Sequence, residues 1–372
     1  MPTIRLIDHH TVYDNPVPNL RSRHAYFPGL VALPSGELLA LFMLGEALEA
    51  TDGTTVVSRS ADGGRTWELQ GPLHERPASG AGAHYSDYLK ATLLADGRLI
   101  AAGYHFHRSG RDEPVTNAAT DGVRGGDNLV SFSDDDGRTW SPPAVIPRTR
   151  PELIELSGPT IQLAGGAILG AGSMFPRWDG SNPSGCVGAL LRSDDGGATW
   201  DDRTDFFVDP AGRYAPSEPR LCGLPDGRIV ALSWIMDHVG GTNLTNHVTI
   251  SHDGGATWSA PIDTGVEAQA SNLISWDGDL VLSVHSQREG SDIGVYARLA
   301  DLAGDRWQTI AESCLWENAP AMQIAAYATM GVNLKFGQPS LLRLSETEVL
   351  ATHWAVEDGQ GRILTHRLHV AA

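Results

Sequence analysis

One octapeptide, Ser-x-Asp-x-Gly-x-Thr-Trp, occurs four times in this chain and constrains the fold more than any other feature. The copies occupy residues 60–67, 133–140, 193–200 and 251–258, and their aspartates are 73, 60 and 58 residues apart. Self-similarity at a nearly constant spacing indicates one supersecondary unit repeated along the chain. Because the motif is copied, we expect it to belong to the scaffold.

Six predicted β-hairpins accompany the octapeptides. Each consists of two apolar segments joined by a short turn, and Asp-Gly between apolar runs is a strong local signal for such a hairpin. The first four hairpins are each followed by a β-rich run that ends in the octapeptide. The fifth is followed by a degenerate copy at 301–307, which keeps the Trp but not the Ser or Thr. The hairpins span residues 30–41, 91–101, 160–169, 221–232, 273–284 and 341–352.

The sixth unit is one strand short, because the chain ends soon after the segment 362–370. A β-rich segment at 3–9 is available to supply the missing strand. The sequence therefore predicts an all-β fold: a six-bladed β-propeller of four-stranded antiparallel blades, formed by a single domain over residues 1–372 and closed by the N-terminal strand in the last blade. The octapeptide is predicted to be the turn between the third and fourth strands, with its Gly at positive φ and its Trp packed on the neighbouring blade.

Composition excludes several classes of function. The formal charge of −18 and a pI of about 5.1 oppose binding to a nucleic-acid backbone. No segment approaches the roughly 20 apolar residues that span a bilayer, so no membrane contact is expected. The first residues lack the apolar run of a signal peptide, which predicts a cytoplasmic protein. The three cysteines are far apart and odd in number, which argues against a disulfide framework.

The propeller register predicts which face carries the function. The tight hairpin turns and the octapeptides fall on one face, so the long polar and aromatic loops fall on the other. Binding and catalytic residues are concentrated on such loops over a rigid scaffold. Histidines cluster at the predicted exits of the second strands, which suggests proton chemistry or dense hydrogen bonding. His105 and His107 share one strand face, but the sequence identifies no third metal ligand, so neither a metal nor a cofactor is predicted.

The four octapeptides resemble the Asp-boxes, or BNR repeats, of the sialidase superfamily, and the resemblance extends over the whole chain. That superfamily contains sialidases, other glycosidases, polysaccharide lyases and binding proteins. The resemblance implies an arginine triad, a nucleophilic tyrosine and an acid/base aspartate. Tyr26 stands where the first arginine belongs, Trp234 lies where the second is expected, and the segment 336–340 offers neither the tyrosine nor the third arginine. Asp52 matches the acid/base position, but a true sialidase is not expected.

The leading hypothesis is a glycoside hydrolase that acts on a carbohydrate at the propeller axis. Hydrolysis needs two carboxylates, and the predicted pair is Asp52 and Glu218. The alternatives are that Asp52 serves only a turn and that Glu218 only braces the pore. A hypothesis of a different class is a non-catalytic glycan-binding propeller.

Elimination next to a uronate is the alternative chemistry, of the type carried out by sialidase-fold enzymes that cleave rhamnosyl-glucuronate linkages, which this chain resembles in residue type. Its base would come from His or Tyr side chains, and arginines such as Arg108, Arg177 and Arg220 would neutralise the carboxylate. The candidate bases are His24, His84, Tyr85 and His105.

The predicted substrate-binding residues open the innermost strands or follow the second strands. Trp178 and Trp234 either stack on a sugar ring or pack between blades. Arg23 either orients the substrate or lies in an exposed loop. The full set is Arg23, Tyr26, Lys90, Arg108, Arg177, Trp178, Arg220, Trp234, His285, Gln338 and His353.

Overall fold

The computed structural model describes residues 2–76, 85–317 and 334–372. It is built of six antiparallel sheets, and among the described residues there is no helix long and apolar enough to cross a bilayer. The sheets are the six blades that the hairpins predict. Blade 1 is β2 (His24–Ala32), β3 (Leu38–Gly45), β4 (Thr54–Ser60) and β5 (Glu68–Pro72). Blade 2 is β6 (Tyr85–Leu93), β7 (Leu99–His107), β8 (Gly126–Ser133) and β9 (Ala144–Ile146).

The innermost strand of the third blade is interrupted, and the fourth blade carries an extra short strand. Blade 3 is β10 (Ile154–Glu155), β11 (Ile161–Gln162), β12 (Ile168–Met174), β13 (Val187–Ser193) and β14 (Asp201–Val208). Blade 4 is β15 (Tyr214–Gly223), β16 (Ile229–Asp237), β17 (Thr242–Asn243), β18 (His247–Ser251) and β19 (Ile262–Asp263). Blade 5 is β20 (Ser271–Ser275), β21 (Leu280–Gln287), β22 (Gly294–Asp301) and β23 (Gln308–Glu317).

The sixth blade closes the ring as predicted. Its strands are β24 (Phe336–Arg343), β25 (Glu348–Glu357) and β26 (Gln360–Ala371), and its outer strand is β1 (Thr3–Tyr13). β1 pairs antiparallel with β26, from Thr3 opposite Ala371 onward. The two ends of the chain therefore share one sheet, and β1 runs four residues beyond the predicted 3–9 segment.

The octapeptides are the turns between third and fourth strands, which confirms their predicted position. In the first copy, Asp62 Oδ1 accepts hydrogen bonds from the Arg65 and Thr66 amides at 3.0 and 2.9 Å, and Ser60 Oγ accepts one from the Gly64 amide at 2.8 Å. Gly64 has φ of 91°, and a Cβ at this position would lie 2.6 Å from Leu350 of blade 6. The glycine is therefore required both by the turn and by the contact with the next blade.

Apolar contacts between blades form the core. Leu39 and Leu41 of blade 1, for example, pack with Leu89 and Leu99 of blade 2, and all four are buried. Equivalent clusters occupy the other junctions between blades. Because each strand alternates its side chains between two faces, both faces of a blade contribute to these junctions, and the innermost strands are held rigidly around the axis.

Candidate functional site

Three innermost strands share a bulge that turns one side chain toward the axis. β2, β15 and β24 each lose register at a residue that precedes proline and has positive φ: Phe27 (56°), Glu218 (45°) and Gln338 (37°). Proline has no amide hydrogen for the sheet ladder, so the strand bulges there. A positive φ is unusual for residues other than glycine, and such strain is concentrated at functional sites.

All three of these side chains line one cavity at the axis, on the face opposite the octapeptides. The cavity has a volume of about 90 Å³ and opens to solvent. Its wall is mainly aromatic and aliphatic, with a few converging polar groups, as is typical of ligand sites. The lining residues are Phe27, Leu48, Glu49, Tyr88, Tyr104, Phe106, Val115, Thr116, Val123, Glu155, Phe175, Ser217, Glu218, Trp234, Arg288, Leu334 and Gln338.

Glu155 and Glu218 form a carboxyl pair in this cavity. Glu155 ends the short strand β10, is buried, and accepts hydrogen bonds from Ser173 Oγ and the Glu218 amide. Burial, followed by the negative charge of Glu218, raises the pKa of Glu155 to about 8. This shift favours the protonated form of Glu155 at neutral pH, as a general acid requires.

Glu218 lies in a different environment, next to hydrogen-bond donors and cations. Gln338 Nε2 donates to Glu218 Oε1, so two bulge residues from separate blades meet directly. Arg288 is buried behind this contact and donates from Nε to Phe336 O at 3.0 Å. Burial lowers the pKa of Arg288 to about 10 while the charge of Glu218 raises it, so the guanidinium stays protonated beside Glu218.

Two further basic side chains support the bulges from behind. Lys90 Nζ donates to the Phe27 carbonyl, and Arg220 donates to the Glu218 and Pro219 carbonyls at 3.0 and 2.9 Å and to Ser157 Oγ at 3.0 Å. Both side chains are buried, and burial lowers the pKa of Lys90 well below its ordinary range. Neither side chain is among the residues that line the cavity, so Lys90 and Arg220 support the bulges from behind.

Two tyrosines and a third carboxyl group complete the polar lining. Tyr88 and Tyr104 stack with ring centroids 5.1 Å apart, and burial raises the pKa of Tyr88 to about 12 and that of Tyr104 well above its ordinary range. Both phenols are therefore neutral donors at physiological pH. Burial also raises the pKa of Glu49, whereas the charge of Arg108 lowers it.

The structure brings several of the predicted residues together at the axis. Glu218, Trp234 and Gln338 line the cavity, and Lys90 and Arg220 lie directly behind it. Trp234 is buried, and its Nε1 has no hydrogen-bond partner within the described structure.

Arg108 lies next to the cavity rather than in its wall. It donates from Nη1 to the Glu49 carbonyl and from Nη2 to Ser86 Oγ at 3.0 Å. Arg108 thereby holds the loop that carries Glu49.

Other predicted residues of blade 1 lie outside the cavity lining. Asp52 is exposed, and its Oδ1 accepts the Glu46 amide at 3.0 Å, which is a turn contact. His24 Nδ1 accepts the Gly361 amide at 2.9 Å, and Tyr26 is buried edge-on against Trp354. Arg23 is half-buried near Tyr13, so this group belongs to the junction between blades 1 and 6.

The remaining predicted residues fall into a rim group, an exposed loop and buried networks. Tyr85 and His105 meet at the rim of blade 2, with ring centroids 5.3 Å apart. Trp178, next to Arg177 in an exposed loop, lies under the Arg124 guanidinium at 4.4 Å.

His285 and His353 are fully buried, and His84 lies outside the described residues. His285 is held by Ser271, Asn246 and Ser283, and His353 stacks on His366. Neither histidine lines the cavity.

Sequence reasoning did not select Thr116, Ser217 and five titratable residues of the cavity wall. The pair Gly158-Pro159 marks the innermost strand of blade 3 in the same way as the residue-Pro pairs of the other strands, but Glu155 lies three residues before Gly158. Its burial and its carboxylate neighbour were not visible in the sequence. The five residues are Glu49, Tyr88, Tyr104, Glu155 and Arg288.

Comparisons with known proteins show similarity in fold. The BNR/Asp-box repeat family matches residues 249–260, which include the fourth octapeptide. A search of curated protein sequences gave no significant match. A protein of unknown function from Dyadobacter fermentans superposes with a TM-score of 0.75 at 21% identity, over 100% of both chains.

Solved glycoside hydrolases share this fold at lower identity. The NanB sialidase of Streptococcus pneumoniae gives a TM-score of 0.62 at 12% identity, over 97% of this chain and 70% of the sialidase chain. An α-L-arabinanase of Penicillium chrysogenum, complexed with arabinobiose, gives 0.63 at 16% identity over 98% of each chain.

Proposed function

We propose that this chain, a sialidase-like six-bladed propeller with Asp-box repeats, is a glycoside hydrolase whose two carboxyl groups are Glu155 and Glu218. One observation carries the proposal: the two groups share the axial cavity but lie in opposite environments. Glu155 is buried and protonated, whereas Glu218 is next to Arg288 and accepts a hydrogen bond from Gln338. Carboxyl groups in contrasting environments take the separate acid and base roles of glycosidases.

In this mechanism Glu155 donates its proton to the glycosidic oxygen as the bond to the anomeric carbon breaks. Glu218 then stabilises the positive charge that develops at that carbon, either by attacking it or by activating a water molecule. If Glu218 attacks the carbon, Glu155 recovers its proton from the water that then hydrolyses the glycosyl-enzyme bond. If Glu218 activates water, Glu218 takes the proton of that water, and both carboxyl groups regain their starting states by exchange with solvent. The strained backbone at Glu218, held by Arg220, fixes the carboxylate in position before substrate arrives.

The cavity favours a neutral sugar. Phe27, Tyr88, Phe106 and Trp234 offer apolar faces for a sugar ring, and Arg288 is the one arginine among the described lining residues. That arginine already contacts the Phe336 carbonyl, so the described wall holds no arginine cluster to neutralise a sialic or uronic carboxylate. Two of the structural neighbours are described as an α-L-arabinanase and an α-L-arabinofuranosidase, which makes arabinofuranosides the first substrates to test.

A panel of aryl glycosides and plant oligosaccharides tests the proposal. The wild type is expected to release sugar from a neutral glycoside, and Glu155→Gln and Glu218→Gln are each expected to lower kcat by about 10²–10⁴-fold. Glu152→Gln is the matched control. Glu152 is also a buried carboxyl, and it accepts hydrogen bonds from the amide and the hydroxyl of Ser184 at a place outside the cavity lining. The anomer of the first product shows whether Glu218 attacks directly.

Three results would contradict the proposal. A product with a new conjugated double bond, detected by its ultraviolet absorbance, would assign elimination and move the chemistry to the His and Tyr residues of the rim. Binding of glycans without turnover across the panel would identify a carbohydrate-binding propeller. Full activity in Glu155→Gln would remove Glu155 as the acid.

A further inference from the structure

Three side chains converge at the rim of blade 2, outside the axial cavity. His105 and His107 project from one face of β7, and Asp127 on β8 is paired with His105 in the sheet register. Asp127 Oδ2 lies 2.8 Å from His107 Nε2 and 3.2 Å from His105 Nε2, and the two nitrogens are 3.1 Å apart. Within the described part of the chain, no other three His, Cys, Asp or Glu side chains gather in this way.

Hydrogen bonding alone leaves this cluster incompletely satisfied. Each Nε2 carries at most one hydrogen, which points in a single direction. If both nitrogens donate to Asp127 Oδ2, the two N–H groups converge on one oxygen with their nitrogens only 3.1 Å apart; if one nitrogen donates to the other, its own bond to the carboxylate is lost. Three mutually close atoms with lone pairs are all satisfied at once by a cation placed between them.

We propose that His105, His107 and Asp127 bind a divalent transition-metal ion such as Zn²⁺. Two imidazole nitrogens and one carboxylate oxygen suit zinc and its neighbours, whereas Mg²⁺ and Ca²⁺ prefer sites made of oxygen alone. Ligand atoms are separated by about 3.0 Å in octahedral and about 3.3 Å in tetrahedral coordination, with bonds of about 2.0–2.1 Å. The observed separations of 2.8–3.2 Å fall close to this range.

The position of the site suggests what the metal does. His107 ends β7 and Asp127 is the second residue of β8, so the ligands lie on either side of the connecting loop 108–125. That loop supplies Val115, Thr116 and Val123 to the axial cavity. A metal bound across its base fixes both ends of the loop, and it stabilises the wall of the cavity without touching the carboxyl pair. His107 is exposed, with 59% of its side chain accessible, so water can complete the coordination.

The chain offers a matched control for His107. His252 Nε2 lies 2.8 Å from Asp305 Oδ2, the same separation as in the His107–Asp127 pair, and its side chain is 61% exposed. Among the described residues, no second histidine joins this pair to form a three-ligand group. His252→Ala therefore removes a histidine of equal exposure and equal pairing from a position that is not expected to bind metal.

Zn²⁺ titration by calorimetry, on protein without a polyhistidine tag, tests the proposal. Wild type and His252→Ala are expected to bind one Zn²⁺ per chain, and His107→Ala and Asp127→Asn to bind at least about 100-fold more weakly. Bound Zn²⁺ should raise the Tm of the wild type but not of these two variants, and it should slow proteolysis within the loop 108–125. Mg²⁺ and Ca²⁺ should not compete.

Three outcomes would overturn the proposal: no Zn²⁺ binding by the wild type, equal binding by His107→Ala, or displacement of Zn²⁺ by Mg²⁺ or Ca²⁺. Because His107 is exposed, its alanine variant is expected to fold, and its Tm in metal-free buffer verifies this. The titration requires no substrate, so its result is independent of the proposed hydrolase activity.

Discussion

The buried carboxyl of Glu155 should make the stability of this protein fall as pH rises. The folded-state pKa of about 8 lies above the ordinary value of 4.5, because burial and the charge of Glu218 disfavour the ionised form. The contribution of Glu155 to stability is therefore complete below about pH 4.5 and is lost as pH rises through about 8. Glu155→Gln keeps the shape and cannot ionise, so it should escape this loss.

The size of the effect follows from the two pKa values. Each pH unit between them corresponds to about 1.4 kcal/mol, so the Gln variant should be more stable than wild type by about 3 kcal/mol at pH 7 and about 5 kcal/mol at pH 9. At pH 4 the two proteins should unfold alike. Urea unfolding at these three values of pH measures the difference directly.

Glu218→Gln provides the control. It removes the charge that raises the pKa of Glu155 but leaves the burial, so the loss of stability with pH should become smaller without vanishing. A difference between wild type and Glu155→Gln that stays constant from pH 4 to pH 9 would refute the conclusion that Glu155 is protonated at neutral pH. The general-acid role proposed for it would fail at the same time.

Three further predictions concern the scaffold. Asp62→Ala removes the acceptor for the Arg65 and Thr66 amides and should lower stability by about 1–3 kcal/mol in urea unfolding, with activity unchanged in the folded protein. Gly337→Ala places a Cβ 1.7 Å from Arg288 Nη2, so it should cost about 1–3 kcal/mol and lower kcat, whereas an unchanged Tm would contradict this packing. Burial lowers the pKa of His353 to about 4, so its contribution to stability should be lost as pH falls from 6.5 toward 4, and His353→Gln should flatten that part of the profile.

The fold was predictable because its signals are local. An octapeptide contains its own donors, acceptors and positive-φ glycine, and an Asp-Gly turn sets its own hairpin, so both are visible without knowledge of distant residues. Closure by the N-terminal strand followed from counting strands, and β1 and β26 do pair. The same register placed the loops and the strand openings on the face that holds the axial cavity.

The candidate site was less predictable because its properties depend on contacts between blades. Glu218 and Gln338 were chosen from the sequence and meet at the axis, whereas Glu155 was not selected. Asp127 was not identified as a partner of His105, since the pairing depends on the register of β7 against β8. Asp52, the predicted partner of Glu218, lies in a turn outside the cavity lining.

The sequence by itself determined the architecture, the face of the propeller that holds the cavity and the absence of the sialidase arginines from their expected positions, because these depend on repeat spacing and local turn chemistry. Only the tertiary structure decided which carboxyl groups share the axis. The burial of Glu155 depends on a wall supplied by several blades, and its proton is retained because Glu218, 63 residues later, lies beside it. The acid–base character of a carboxyl group is set by its neighbours in space, and these neighbours are distant in the chain.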